Sequence, residues 1–131
     1  MLDIVKHIEI DGTEYPIAYT FNVMEAIQDK YDTIENWGNA LQPPKGVEPK
    51  IKDIKWTFTQ FINEGIDIEN ENKGEKRPFV TEKQVGRLIS MVGMDKVNLQ
   101  LMSVTAESTK IPGNEGNDEI KNEMTTQKVT D

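Results

Sequence analysis

The chain carries one histidine, His7, and no cysteine. Without a thiol there is no cysteine nucleophile, no thiolate metal ligand and no disulfide. A Ser–His–Asp triad would have to draw on Ser90, Ser103 or Ser108, and none of them stands in a G-x-S-x-G elbow. His7 falls on the polar face of a predicted strand, which reads as an ordinary surface histidine. Asp67-Ile68-Glu69-Asn70-Glu71 alternates carboxylates like the start of a calcium loop. Such a loop needs glycine at its sixth position and glutamate at its twelfth, and here Asn72 and Pro78 occupy them. The chain contains neither G-x-x-x-x-G-K-[ST] nor G-x-G-x-x-G, so no phosphate cradle is expected. The most basic stretch, Lys73-Gly74-Glu75-Lys76-Arg77, is diluted by Glu71 and Glu75, and no stacking aromatic follows until Phe79. A nucleic-acid surface needs more positive charge than that. The expectation is therefore no catalytic residue, no cofactor and no metal.

A surface for a protein partner remains. Its candidates are Trp56, Leu99 and Met102, apolar residues that fall off the main stripes of their predicted helices. Trp and Met are enriched at interfaces. The competing reading is that a compact helical arrangement buries both sides of these helices.

The elements that would position these residues centre on Val47 to Asn63, VEPKIKDIKWTFTQFIN. Ile51, Ile54, Phe58, Phe61 and Ile62 share one side of a helix turning 100° per residue, and Trp56 points away from them. Burying five such side chains contributes roughly 10 kcal/mol gross, an upper bound. Pro49 is expected just inside the helix start, where its missing N–H costs nothing.

Before this helix, Leu2 to Ile10 reads as a strand with Leu2, Ile4, Ile8 and Ile10 on one face, interrupted by Lys6. Asp11-Gly12-Thr13-Glu14 is a turn. Tyr15, Ile17, Tyr19 and Phe21 alternate again, with Pro16 marking an edge strand. Asn22 is the expected N-cap of a helix to Tyr31, with Val23, Ile27 and Tyr31 on one face. Thr33 opens a short helix through Trp37 and Leu41. Gln42 to Pro49 is a stiff loop.

After the central helix, Glu64 to Pro78 is polar and mixed in charge and reads as a loop. Thr81 to Gln84 has the form of a capping box, followed by a stripe of Val85, Leu88, Ile89 and Val92, and Gly93 suits the helix end. Gly86 costs about 1 kcal/mol mid-helix, so a close backbone is expected beside it. The last helix is expected from Asp95 to Ala106. Its stripe of Met94, Val97, Leu101 and Val104 faces nearly opposite a second one of Leu99, Met102 and Ala106.

The totals agree with a small domain and a tail. The 131 residues carry a net charge of −8, and 36% are hydrophobic. Mean hydropathy is −0.60. Such acidity repels nucleic acid and anionic membrane. No run approaches the ~18 apolar residues that span a bilayer. MLDIVKHIEI, broken by charges, does not read as a leader, so an intracellular protein is expected. The predicted fold class is α+β, mostly helical: an N-terminal β-hairpin packed on four to five helices, in one domain over residues 1–106. A disordered acidic tail is expected over 107–131.

Three stretches, EIDGTEYPIAYTFNVMEAIQDKYDTIENW, IKWTFTQFINEGIDIENE and RPFVTEKQVGRLISMVG, carry a resemblance in wording and order. Together they span roughly Ile8 to Val104. The chain resembles the tail assembly chaperones of long-tailed bacteriophages and prophages of Gram-positive bacteria. The resemblance implies a non-enzymatic protein of the host cytoplasm. It would keep the long helical tape-measure protein soluble, help recruit tail-tube subunits and be absent from the finished virion. Self-association is compatible with that role. Trp56 and the two-sided last helix would supply apolar contacts to the partner. Two other classes stay open: a structural tail component retained in the virion, and a generic protein-binding adaptor.

Overall fold

A computed structural model describes residues 4–108. An antiparallel hairpin of β1 (Val5–Ile10) and β2 (Thr13–Ala18) is followed by five helices. These are α1 (Phe21–Tyr31), α2 (Ile34–Leu41), α3 (Ile51–Lys73), α4 (Glu82–Val92) and α5 (Met94–Ser108). The expected α+β class is what is found. Residues 1–3, including Leu2, and the expected tail beyond Ser108 lie outside the described residues. Helix α5 runs two residues past the expected domain end at Ala106.

The hairpin closes through two residues, Asp11 and Gly12, with φ of 53° and 81°. Positive φ at both central positions is the I′ geometry that Asp-Gly favours. The register pairs Val5 with Ala18 and His7 with Pro16. Lys6, on the face shared with Ile8 and Ile10, reaches out along its stem to Glu107 on α5, with Nζ 3.4 Å from Oε1.

Helix α3 is the organising element and packs against both strands and the four other helices. Ile54, Phe58, Phe61, Ile62 and Ile66 are buried along it. Ile51, expected on this stripe, sits in the first turn and is 62% exposed. The helix starts at Ile51, two residues after Pro49, which therefore lies outside it; Lys50 is the N-cap and makes no capping side-chain bond. It also continues ten residues past Asn63 to Lys73, where Gly74 closes it at φ 68°. The expected loop from Glu64 is thus mostly helix. Tertiary packing overrides weak local propensity here, because Gly65 and Ile66 extend the buried stripe against β2.

Gly65 is where the backbones meet. A Cβ there would lie 2.6 Å from the Pro16 carbonyl carbon and 2.8 Å from the Ile17 nitrogen. The close backbone approach expected at Gly86 belongs instead to Gly65; at Gly86 a Cβ would meet the Lys55 side chain at Cδ, 3.3 Å away.

Thr20, not Asn22, is the N-cap of α1, its hydroxyl accepting from the Val23 N–H. Phe21, expected on the strand, is the first helical residue. Thr33 caps α2 and Thr81 with Gln84 forms the capping box of α4, as expected. In the core, Tyr19 stacks on Trp37 at 5.9 Å and both contact Phe61. The Trp37 indole N–H donates to the buried Thr57 hydroxyl at 2.9 Å. Val97, Leu101 and Val104 of α5 are buried, as their stripe predicts.

Candidate protein-binding surface

The three residues singled out in the sequence do not form one patch. Trp56 is half-buried in the seam between α1 and α3. Its ring meets Tyr31 edge-on at 5.7 Å, and the Lys30 ammonium lies 5.4 Å from its centroid. The Tyr31 phenol donates to Asp53 at 2.6 Å. Burial first, then that hydrogen bond and the Asp53 charge, push the phenol above its ordinary value. Leu99 is 69% exposed. It lines a shallow depression of about 350 Å³ with Gln42, Asp95 and Asn98 at the edge between α2 and α5. Met102, one turn along α5, is half-buried against the core. The outer stripe of α5 therefore does leave apolar surface outside at Leu99, whereas Trp56 already has neighbours.

Asn98 positions that edge. Its amide N–H donates to the Leu41 carbonyl at 2.8 Å, at the last turn of α2. Its side-chain oxygen is buried and has no hydrogen-bond partner among the described residues.

A second surface has no counterpart in the sequence reading. It is a groove of about 290 Å³ between α1, α3 and the extended segment before α4. Asn22 and Val23 come from α1, and Gln60, Asn63, Glu64 and Asp67 from successive turns of α3. Phe79 closes one side and is 57% exposed. Phe21, next to Asn22 in the chain, is 80% exposed.

Phe79 is held in place although it faces solvent. The Asn63 side chain takes both backbone groups of Val80, accepting from its N–H at 2.8 Å and donating to its carbonyl at 3.0 Å. Asn70 does the same with Arg77, at 3.1 and 2.9 Å. The Arg77 guanidinium also lies 5.2 Å from the Tyr15 ring centroid. The two residues between these anchors, Pro78 and Phe79, are therefore displayed on a fixed backbone.

The groove is acidic. One Glu64 oxygen accepts from the Thr20 hydroxyl at 2.7 Å and from the Asn22 amide at 3.2 Å. The Asp67 carboxylate has no hydrogen-bond or ion-pair partner among the described residues. Among the described residues no Lys, Arg or His lines the groove.

His7 lies elsewhere, exposed on β1. It pairs with Glu69 at 2.7 Å, and Lys73 approaches the same oxygen at 3.4 Å. Burial raises the Glu69 carboxyl, but the hydrogen bonds and charges of His7 and then Lys73 outweigh it and leave the group below its ordinary value. These contacts tie the hairpin to the end of α3. The Asp67–Glu71 stretch is helical, and no cluster of three potential metal ligands occurs among the described residues. None of the described helices is long and apolar enough to cross a membrane.

Sequence reasoning misses Phe21 because it extends the strand alternation by one step. It misses Phe79 because the display of that residue depends on Asn63 and Asn70, which a loop assignment from Glu64 separates. Two asparagines seven apart on α3 are the available signal. Comparison with protein-family models, with curated proteins and with solved structures finds no match to this chain.

Proposed function

We propose that this protein is a non-enzymatic chaperone of phage tail assembly, acting in the host cytoplasm. It holds the tape-measure protein soluble and helps bring tail-tube subunits to it. The reading rests on the resemblance in wording and order of the three sequence stretches. One structural observation supports it: the body completes its core and still leaves Phe21, Phe79 and Leu99 largely outside. Exposed apolar side chains on an acidic exterior suit a protein that shields the apolar stripes of another chain.

The test is co-expression with the tape-measure protein, followed by co-purification and mass spectrometry of assembled virions. The expected result is a soluble complex that forms in the cell and a virion that lacks this chain. A tape-measure protein that stays insoluble in its presence would refute the chaperone role. Recovery of the chain in stoichiometric amounts from virions would instead make it a structural tail component. Leu99→Asp, at an exposed position, should weaken co-purification while leaving the thermal midpoint nearly unchanged.

A further inference from the structure

We propose that the groove beside Phe79 receives a cationic side chain, an arginine or a lysine, carried among apolar residues on a protein partner. The inference depends on the function above only in taking the occupant to be a protein.

Three observations point to this occupant. First, the charge is one-sided. Among the described residues Asp67 has no partner, Glu64 keeps one oxygen that none of them bonds, and no Lys, Arg or His lines the cavity. A cation entering here would meet an acceptor that needs no internal bond broken. Second, an aromatic side chain, Phe79, lines the same cavity as the acid. An arginine beside Asp67 would lie near the Phe79 ring, where ring and carboxylate attract the same charge. Third, the aromatic is preorganised. Asn63 and Asn70 fix the backbone on both sides of Pro78 and Phe79, so little loop entropy is lost when a partner docks.

Size selects among ligand classes. About 290 Å³ is slightly under the range of about 300–1,000 Å³ usual for small-molecule sites, yet it admits one long side chain. The exposed Phe79 would then rest on the apolar neighbours of that side chain. A nucleic acid would bring phosphates to two carboxylates and be repelled.

The experiment uses the full chain, isotope-labelled, and two synthetic probes. One is a leucine-rich amphipathic helical peptide with arginines on its flank; the other is the same peptide with glutamates in their place. Amide shifts should move at Asn22, Gln60, Asp67 and Phe79 with the arginine peptide, which should bind at least about tenfold tighter than its twin. Asp67→Asn should weaken the arginine peptide about threefold. Phe79→Ala should weaken it about tenfold. Both residues are exposed, so folding is not at issue. Equal affinity for the two peptides, shifts confined to the α5 edge around Leu99, or unaltered binding by both variants would each overturn the proposal.

The outcomes separate the groove from the function. If the tape-measure protein co-purifies with the chain while the two peptides bind it with equal affinity, the groove assignment falls and the chaperone reading stands. If the arginine peptide maps to the groove while the tape-measure protein ignores the chain, the groove stands without the phage role.

Discussion

Replacing Gly65 by alanine should destabilise the protein, although alanine is the better helix former. The reason lies in the contact between α3 and β2. A Cβ at position 65 would sit 2.6 Å from the Pro16 carbonyl carbon, 2.7 Å from its oxygen and 2.8 Å from the Ile17 nitrogen. Non-bonded carbons prefer about 3.5–4.0 Å, so the overlap is on the order of 1 Å. No side chain can swing aside, because the clashing atoms are backbone on both sides. Relief would separate helix from strand where Ile17, Ile62 and Ile66 are buried. Overpacking of this kind costs about 1–3 kcal/mol, and rigid backbone places it at or above the upper end. Alanine returns about 1 kcal/mol of helix propensity. The net loss is about 2 kcal/mol, which lowers the melting midpoint by roughly 10 °C in a body of this size. Two other helical glycines provide controls. At Gly38 on α2 an added Cβ would have no neighbour within 4 Å, so Gly38→Ala should stabilise by up to about 1 kcal/mol. Gly86→Ala meets only Cδ of the flexible Lys55 side chain at 3.3 Å and should be neutral to slightly stabilising. Thermal and urea denaturation followed by far-ultraviolet circular dichroism would measure all three. A Gly65→Ala protein as stable as wild type, or more so, would refute the close-approach argument.

Three further outcomes follow from buried or anchored polar groups. Thr57→Val keeps the volume but leaves the Trp37 indole N–H without its acceptor, and should cost about 1–3 kcal/mol in urea unfolding. Asn63→Ala frees the Val80 N–H, so hydrogen exchange at that amide should accelerate about tenfold or more while core amides on α3 stay protected. The depressed Glu69 carboxyl contributes stability that is present above its ordinary value of 4.5 and is lost as pH falls through the lower folded-state value. Glu69→Gln should therefore flatten the acid limb of the stability–pH curve, and an unchanged limb would remove Glu69 from the account.

The parts of the fold that are legible in the sequence rest on local chemistry. Asp11-Gly12 specifies its turn because both residues tolerate positive φ. Thr33 and Thr81 announce helix starts through hydroxyls that accept N–H groups three residues on. The second half of α3 is illegible because its local signals point the other way. Glu64, Gly65, Asp67, Asn70 and Asn72 together read as a polar, turn-forming stretch, with glycine the poorest of them in a helix interior. What holds them helical is non-local: Gly65 against β2, Glu64 against Thr20, and Glu69 against His7. The same four-residue spacing that runs through Phe58 and Ile62 continues to Ile66, and only the polar surroundings hide it. At the start of α1 the choice lies between two good caps. Asn22 has the right chemistry, but its amide is engaged by Glu64, and Thr20 performs the capping.

The acidic groove is illegible for a different reason, which a comparison of spacings makes plain. Seven residues along an α-helix advance about 10.5 Å. Three steps along extended chain advance about 10 Å. Asn63 and Asn70 are therefore as far apart as Val80 and Arg77, and each asparagine amide can offer one donor and one acceptor to one backbone residue. The helix acts toward this segment as a strand edge would, with side-chain amides in place of backbone ones. Neither a 3.6-residue nor a two-residue periodicity reveals such a match, because it pairs two periods with each other. Its consequence is that an aromatic with more than half its surface in water still has a fixed backbone. Exposure alone would make Phe79 one of many surface hydrophobics, and rigidity alone would make it structural. The two together, in one groove with a carboxylate that no described residue pairs, are what single it out as the residue a partner would meet first.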